Sequence, residues 1–137
     1  MAIVDDQRSF PRITKTLRIG IQEPSGRYFP TFSKDFSVGG VAFTCKETAA
    51  NGLYTIFVPY LVRNGLHILC VGGSIAYSVF DLKTREYTIG IKFANLNVQT
   101  FNRLEFLADR LYDLDVQEIN VTFDKHFAHL PPIKKIS

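Results

Sequence analysis

"LYTIFVPYLV" (residues 53–62) and "LHILCVG" (66–72) stand on either side of Asn64-Gly65. Two apolar runs rich in β-branched and aromatic residues, joined through Asn-Gly, are a strong hairpin signal, because the favoured two-residue turn needs positive φ at both central positions. Working back from this pair, "TKTLRIGIQ" (14–22) alternates, with Leu17, Ile19 and Ile21 on one face and Thr16, Arg18 and Gln22 on the other. That is the pattern of a half-buried strand. "EPSG" (23–26) is turn chemistry. A second strand is expected from Arg27 toward Phe36 and a third through "GVAFTCK" (40–46), with Pro30 marking an edge or bulge in the second. Working forward, Gly72-Gly73 breaks the run ahead of "SIAYSVFD", and "DLKTRE" (81–86) connects to "EYTIGIKF" (86–93). Five or six short strands with close turns point to a small antiparallel barrel, a mainly β fold.

The period then changes. Val98, Phe101, Leu104, Leu107, Leu111 and Leu114 recur at helical spacing, with Asn97 placed to cap. A helix over about 98–113 would lay its apolar stripe on one opening or face of the barrel, a packing role. Glu105, Asp109 and Arg110 would be its solvated charges. In the last stretch, 114–137, Ile119, Val121 and Phe123 alternate briefly before Pro131-Pro132. This extension is expected to add an edge strand, lie as an arm on a partner, or stay partly disordered. Neither an internal repeat nor a second domain is visible.

Composition narrows the function classes. The 137 residues suit one domain with a respectable core, and 46% apolar with 21% charged residues is an ordinary globular balance. A net charge of +3 is too small to imply a polyanionic polymer as partner. A small barrel for single-stranded nucleic acid would want exposed aromatics among basic residues. "GRYFPTF" hints at that, but strand alternation assigns its aromatics to the core. Cys45 and Cys70 lack metal-site spacing and are expected as two buried free thiols of a reducing compartment. The start of the chain lacks the pattern of a secretory signal, and no apolar run has the length of a membrane span, so a cytoplasmic location is expected. His67, His126 and His129 are read as packing or solvated groups, and Ser37 has no evident base. No metal, cofactor or enzymatic activity is expected.

Two polar stretches remain. "QRSFPR" (7–12) places Arg8 and Arg12 four apart around Pro11, which turns Phe10 away from helix. In an extended arm the two guanidinium stems lie about 13 Å apart on one side. Such forks suit phosphates, and the same geometry reads guanine O6 and N7. In "DFSVGG" (35–40), Asp35 and Ser37 share one strand face while Phe36 and Val38 share the other. A carboxylate can accept from the N1 and N2 donors of guanine, Ser37 can donate to phosphate, and Gly39 and Gly40 permit close backbone approach.

RxxxR ahead of the first strand, followed by DxSxxG between the second and third, resembles the PilZ domain family. The match is carried by Arg8 and Arg12, then by Asp35, Ser37 and Gly40. "YTIGIKF" (87–93) looks like the family's closing strand, and the resemblance covers about residues 7–113. It implies a six-stranded antiparallel barrel with a C-terminal helix and a flexible arm over residues 1–13. It also implies a receptor for the bacterial second messenger cyclic di-GMP. Arg8 and Arg12 would clasp phosphates and guanine, Asp35 and Ser37 would hydrogen-bond the ligand, and Gly40 would leave it room. Where many members carry a further Arg directly before RxxxR, this chain has Gln7, which bears on whether one ligand or two occupy the site. The implied mechanism is a switch: ligand draws the arm onto the barrel and changes the surface offered to a downstream protein target, in motility, exopolysaccharide or biofilm control. A ligand-independent interaction module of the same fold is the alternative, and the presence of both arginines argues against it.

Overall fold

The computed structural model describes residues 16–47, 49–62, 65–110 and 116–126. Its strands are β1 (Arg18–Gln22), β2 (Tyr28–Ser37), β3 (Gly40–Cys45), β4 (Tyr54–Val62), β5 (Gly65–Asp81) and β6 (Glu86–Phe93). Two helices follow, α1 (Val98–Arg110) and α2 (Val116–His126). All strand pairs are antiparallel, and the sheet closes in the order β1-β2-β3-β6-β5-β4. The expected six-stranded barrel is what the chain forms.

Alternation sorts the side chains. Leu17, Ile19, Ile21, Phe36, Val41, Phe43, Ile56, Val58, Ile89 and Ile91 fill the barrel as one buried cluster. Between β1 and β2, the Gly26 N–H donates to the Glu23 carbonyl at 2.8 Å, with Gly26 at a φ of 96°, and the Glu23 N–H donates to the Arg27 carbonyl at 2.8 Å. β4 and β5 pair with Val62 opposite Gly65, so the connection is residues 63–64, outside the described residues, and Gly65 already belongs to the strand.

Several expectations need correction. Gly72-Gly73 does not break the chain's run. β5 is continuous, and Gly73 pairs with Tyr54 of β4 and Phe93 of β6, marking where the strand passes from one partner to the other. Pro30 does mark an edge, as expected: it sits opposite Gly20 on the part of β2 paired with β1 alone. Since the Ser33 N–H donates toward β1 and directions alternate, the Pro30 nitrogen faces the side without a partner, where a missing donor costs nothing. The bulge in β2 comes later, between Ser33 and Asp35. The cysteines are not buried: Cys45 is half-buried and Cys70 exposed, because its neighbours Leu69 and Val71 are the inward residues of β5 and alternation turns Cys70 outward. Nor are all aromatics of "GRYFPTF" in the core. Phe32 is 44% exposed, with the Arg18 guanidinium 4.4 Å above its ring.

α1 starts where Asn97 predicts, its side chain accepting from the Thr100 N–H at 2.7 Å and its carbonyl from the Phe101 N–H at 2.9 Å. Leu104, Leu107 and Ala108 join the barrel's core cluster. Val98, at the first turn, is instead 76% exposed and lies off the stripe. Leu111 and Leu114 lie outside the described residues.

The largest departure is α2. The apparent alternation at Ile119, Val121 and Phe123 is helical: Ile119 and Phe123 are buried one turn apart, while Val121 is 63% exposed. α2 packs chiefly on β1, and its Asn120 does the work of a strand. The Asn120 Oδ1 accepts from the Arg18 N–H at 2.7 Å, and its Nδ2 donates to the Thr16 carbonyl at 3.0 Å. Those groups face the β4 side of the chain, but β4 reaches β1 only at Gly20, Ile21 and Gln22. A side-chain amide thus satisfies an edge that the sheet leaves open. One turn on, Asp124 accepts from the Arg18 Nε at 2.6 Å. Tyr28, packed over Gly20 beside this pair, has its phenol pushed up by burial, a shift that the Arg18 charge opposes.

At the opposite seam, β3 approaches β6 so closely that a Cβ on Gly40 would collide with the Ile91 carbonyl oxygen. Two stability predictions result. Asn120→Ala is expected to cost about 1–3 kcal/mol in urea unfolding by stranding both edge groups, whereas the exposed Lys125→Ala should change stability by less than about 0.5 kcal/mol. Gly40→Ala, which meets rigid backbone rather than a movable side chain, is expected to cost about 3 kcal/mol, read as a fall in the same midpoint.

Candidate functional site

The "DFSVGG" stretch forms the end of β2 and its turn into β3. Phe36 and Val38 point into the core at 0% and 4% exposure, which obliges Asp35 and Ser37 to face outward, where both are half-buried. Ser37 pairs with Gly40, and its Oγ accepts from the Gly39 N–H at 3.1 Å, closing a two-residue turn over Val38 and Gly39. The Gly39 carbonyl accepts from the Phe93 N–H at 2.9 Å, fastening this turn to the end of β6. Gly40 therefore has a packing reason to be glycine, set by β6, beside whatever room it leaves for a ligand. The serine and both glycines hold one rigid corner, and Asp35 sits two residues before it.

The bulge just before Asp35 is what sequence reading missed. Ser33 is opposite Phe43 and Asp35 is opposite Ala42, so Lys34 is the extra residue. Bulges bend the strand and re-aim side chains, and they concentrate near functional sites. Ser33 is 2% exposed and doubly joined to Leu17: its N–H donates to the Leu17 carbonyl at 2.8 Å, and its Oγ accepts from the Leu17 N–H at 3.0 Å. No motif flags Ser33. Only the barrel's register reveals that it ties the start of β1 to the bulge.

Lys34 and Lys92 add positive charge that the motifs do not include. Lys34 is exposed, and its Nζ donates to the Thr88 Oγ1 on β6 at 3.4 Å, reaching across β3. Lys92 is exposed opposite Gly40. Arg8, Arg12 and Gln7 lie outside the described residues. His67 is exposed on β5, and His129 lies outside the described residues. Among the described residues there is no group of three metal-ligating side chains, and no helix is long and apolar enough to cross a membrane.

Comparison with known proteins agrees with this arrangement. The sequence model described as the PilZ domain matches residues 6–110, which takes in both polar stretches, all six strands and α1. Among solved structures, the PilZ domain with c-di-GMP of YcgR from Escherichia coli is 17% identical, with a TM-score of 0.54, covering 88% of this chain and 99% of that one. The Bacillus subtilis inhibitor of motility MotI/DgrA is 14% identical, with a TM-score of 0.62, over 80% of this chain and 53% of the other. The K. pneumonia MrkH–c-di-GMP complex is 16% identical, with a TM-score of 0.59, over 78% and 53%. The chain thus spans about half the length of the MotI and MrkH chains, and at these identities the likeness is one of fold. No curated protein matches the sequence. With a family model covering most of the chain and a barrel of the matching architecture, the chain belongs to the PilZ domain family.

Proposed function

We propose that this chain is a cyclic di-GMP receptor that acts by binding, not catalysis, through Arg8, Arg12, Asp35, Ser37, Gly39 and Gly40. The observation that carries the reading is the double Leu17–Ser33 hydrogen bond. It roots the N-terminal segment two residues from Asp35. Arg12 is four residues before Thr16, a span of at most about 14 Å of chain, so its guanidinium can reach the same outer face as Asp35. The ligand carries two phosphates and two guanines. Arginine forks answer the first, and a carboxylate beside a serine answers the donor edge of the second. Family membership and the cyclic di-GMP complexes of YcgR and MrkH among the structural neighbours support the same ligand.

Binding would draw residues 1–13 onto the barrel and present a new surface to a downstream protein target. Gln7 supplies no positive charge, which favours one ligand per site.

Calorimetry with cyclic di-GMP tests the receptor reading. Binding at low micromolar concentration or tighter is expected, with Arg8→Ala and Arg12→Ala each weakening it at least about tenfold, as loss of a charge-assisted contact does. Wild-type protein without measurable heat would rule the ligand out. Asp35→Ala should weaken binding by a similar factor and narrow the preference over cyclic di-AMP, and unchanged preference would remove Asp35 from base reading. Ligand is also expected to slow amide exchange over residues 5–13. Identical exchange with and without ligand would contradict the switch.

A further inference from the structure

The match to the family ends at residue 110, yet the helix beyond it, α2, meets the barrel where the arginine segment begins. Thr16 to Arg18 is the first described stretch after Arg12, and its backbone groups point to two sides in alternation. Both Leu17 groups face β2. The Leu17 N–H donates to the Ser33 Oγ at 3.0 Å, and its carbonyl accepts from the Ser33 N–H at 2.8 Å. The Thr16 carbonyl and the Arg18 N–H face the other way, where β4 does not reach, and Asn120 takes both, at 3.0 and 2.7 Å. One side-chain amide thus stands where a neighbouring strand would place a peptide.

Asn120 is not what docks the helix. Ile119 and Phe123 form the buried stripe of α2, while Asn120 is half-buried beside it with both ends of its amide on the strand. What this grip fixes is direction. Leu17 is fully buried and tied to Ser33, so it stays in place whichever way the chain turns before it. Thr16 is exposed, and its carbonyl is held by Asn120. Arg12 lies only four residues earlier. A chain released at Leu17 instead of Thr16 starts toward Asp35 with one more residue's torsions unset. Setting the backbone of one residue corresponds to a factor of about five or more in an equilibrium constant.

We propose that Asn120 is a positioning residue of the ligand site: by holding Thr16 it sets where the arginine segment starts, so that less freedom is lost when Arg8 and Arg12 close on the ligand. The Arg18 side chain steadies the same root, with its Nε donating to Asp124 of α2 at 2.6 Å and its guanidinium 4.4 Å from the centre of the Phe32 ring on β2. The proposal rests on the cyclic di-GMP reading above and gives the helix outside the family match a part in it.

Calorimetry with cyclic di-GMP on the full chain tests it. Asn120→Ala should weaken binding about fivefold or more. Val58→Ala, which destabilises the barrel from a buried position on β4, should bind within about twofold of wild type. The effect should also pass through the arginines, so that in the Arg12→Ala background Asn120→Ala causes less than about a twofold further loss. The same loss in both backgrounds, an equal loss in Val58→Ala, or wild-type affinity in Asn120→Ala would each overturn the proposal. Linkage supplies a reading on the unaltered protein: if the grip favours the ligand, the ligand strengthens the grip. The Arg18 amide, which donates to Asn120, should therefore exchange more slowly with saturating cyclic di-GMP. Unchanged Arg18 exchange would overturn the proposal even if Asn120→Ala does not fold or Arg12→Ala does not bind. Any of these failures with wild-type binding intact leaves the receptor reading standing, whereas absence of wild-type binding removes both.

Discussion

A barrel of six strands exists only if its first strand meets its last partner, and here that meeting is three residue pairs long. Gly20, Ile21 and Gln22 pair with Phe57, Ile56 and Thr55 respectively, and beyond them β1 and β4 diverge. Everything upstream of Gly20 on that side must find other partners or water. The Asn120 amide provides them in a peptide-like geometry, and the Arg18–Asp124 pair braces the contact from the side chain. On its other side the same short segment is fixed by Ser33. Thr16 to Arg18 is therefore gripped from both sides directly after the segment that carries the two arginines. The position of that root is a property of barrel closure, not of any residue in the motif.

The outer face follows from the same economy. Each strand that fills the core with alternate residues must display the others, and the phase of display can change only at a bulge. Two bulges, at Lys34 and Ala76, turn Asp35 and Tyr77 outward in one row. The turn that joins β2 to β3 is fastened to β6 through Gly39 and crowded against it at Gly40. A face built on paired strands and fastened in this way has little freedom to rearrange.

Much of this was legible beforehand. Strict alternation at Leu17, Ile19 and Ile21, the Asn-Gly hairpin signal, and the cap at Asn97 each reflect local physics, and the barrel and α1 appear where they point. What was not legible depends on partners distant in sequence. Gly72-Gly73 resembles a break until β4 and β6 are both in place, when it becomes a handover. Ile119, Val121 and Phe123 satisfy period two and period four over so short a stretch, and only the docking on β1 decides between them. The motif located Asp35, Ser37 and Gly40. Ser33, which ties the start of β1 to the bulge, carries no such signature, because its placement is set by register.

α2 also bears on how the chain can be divided. The residues that match the family end at 110, and α2 begins at Val116. A natural cut by homology would fall between them. It would strip the cover from Thr16 and Arg18 and leave two unpaired backbone groups at the margin of a sheet, the template on which chains add to one another edge to edge. The helix beyond the family boundary thus covers the stretch of β1 that β4 leaves open.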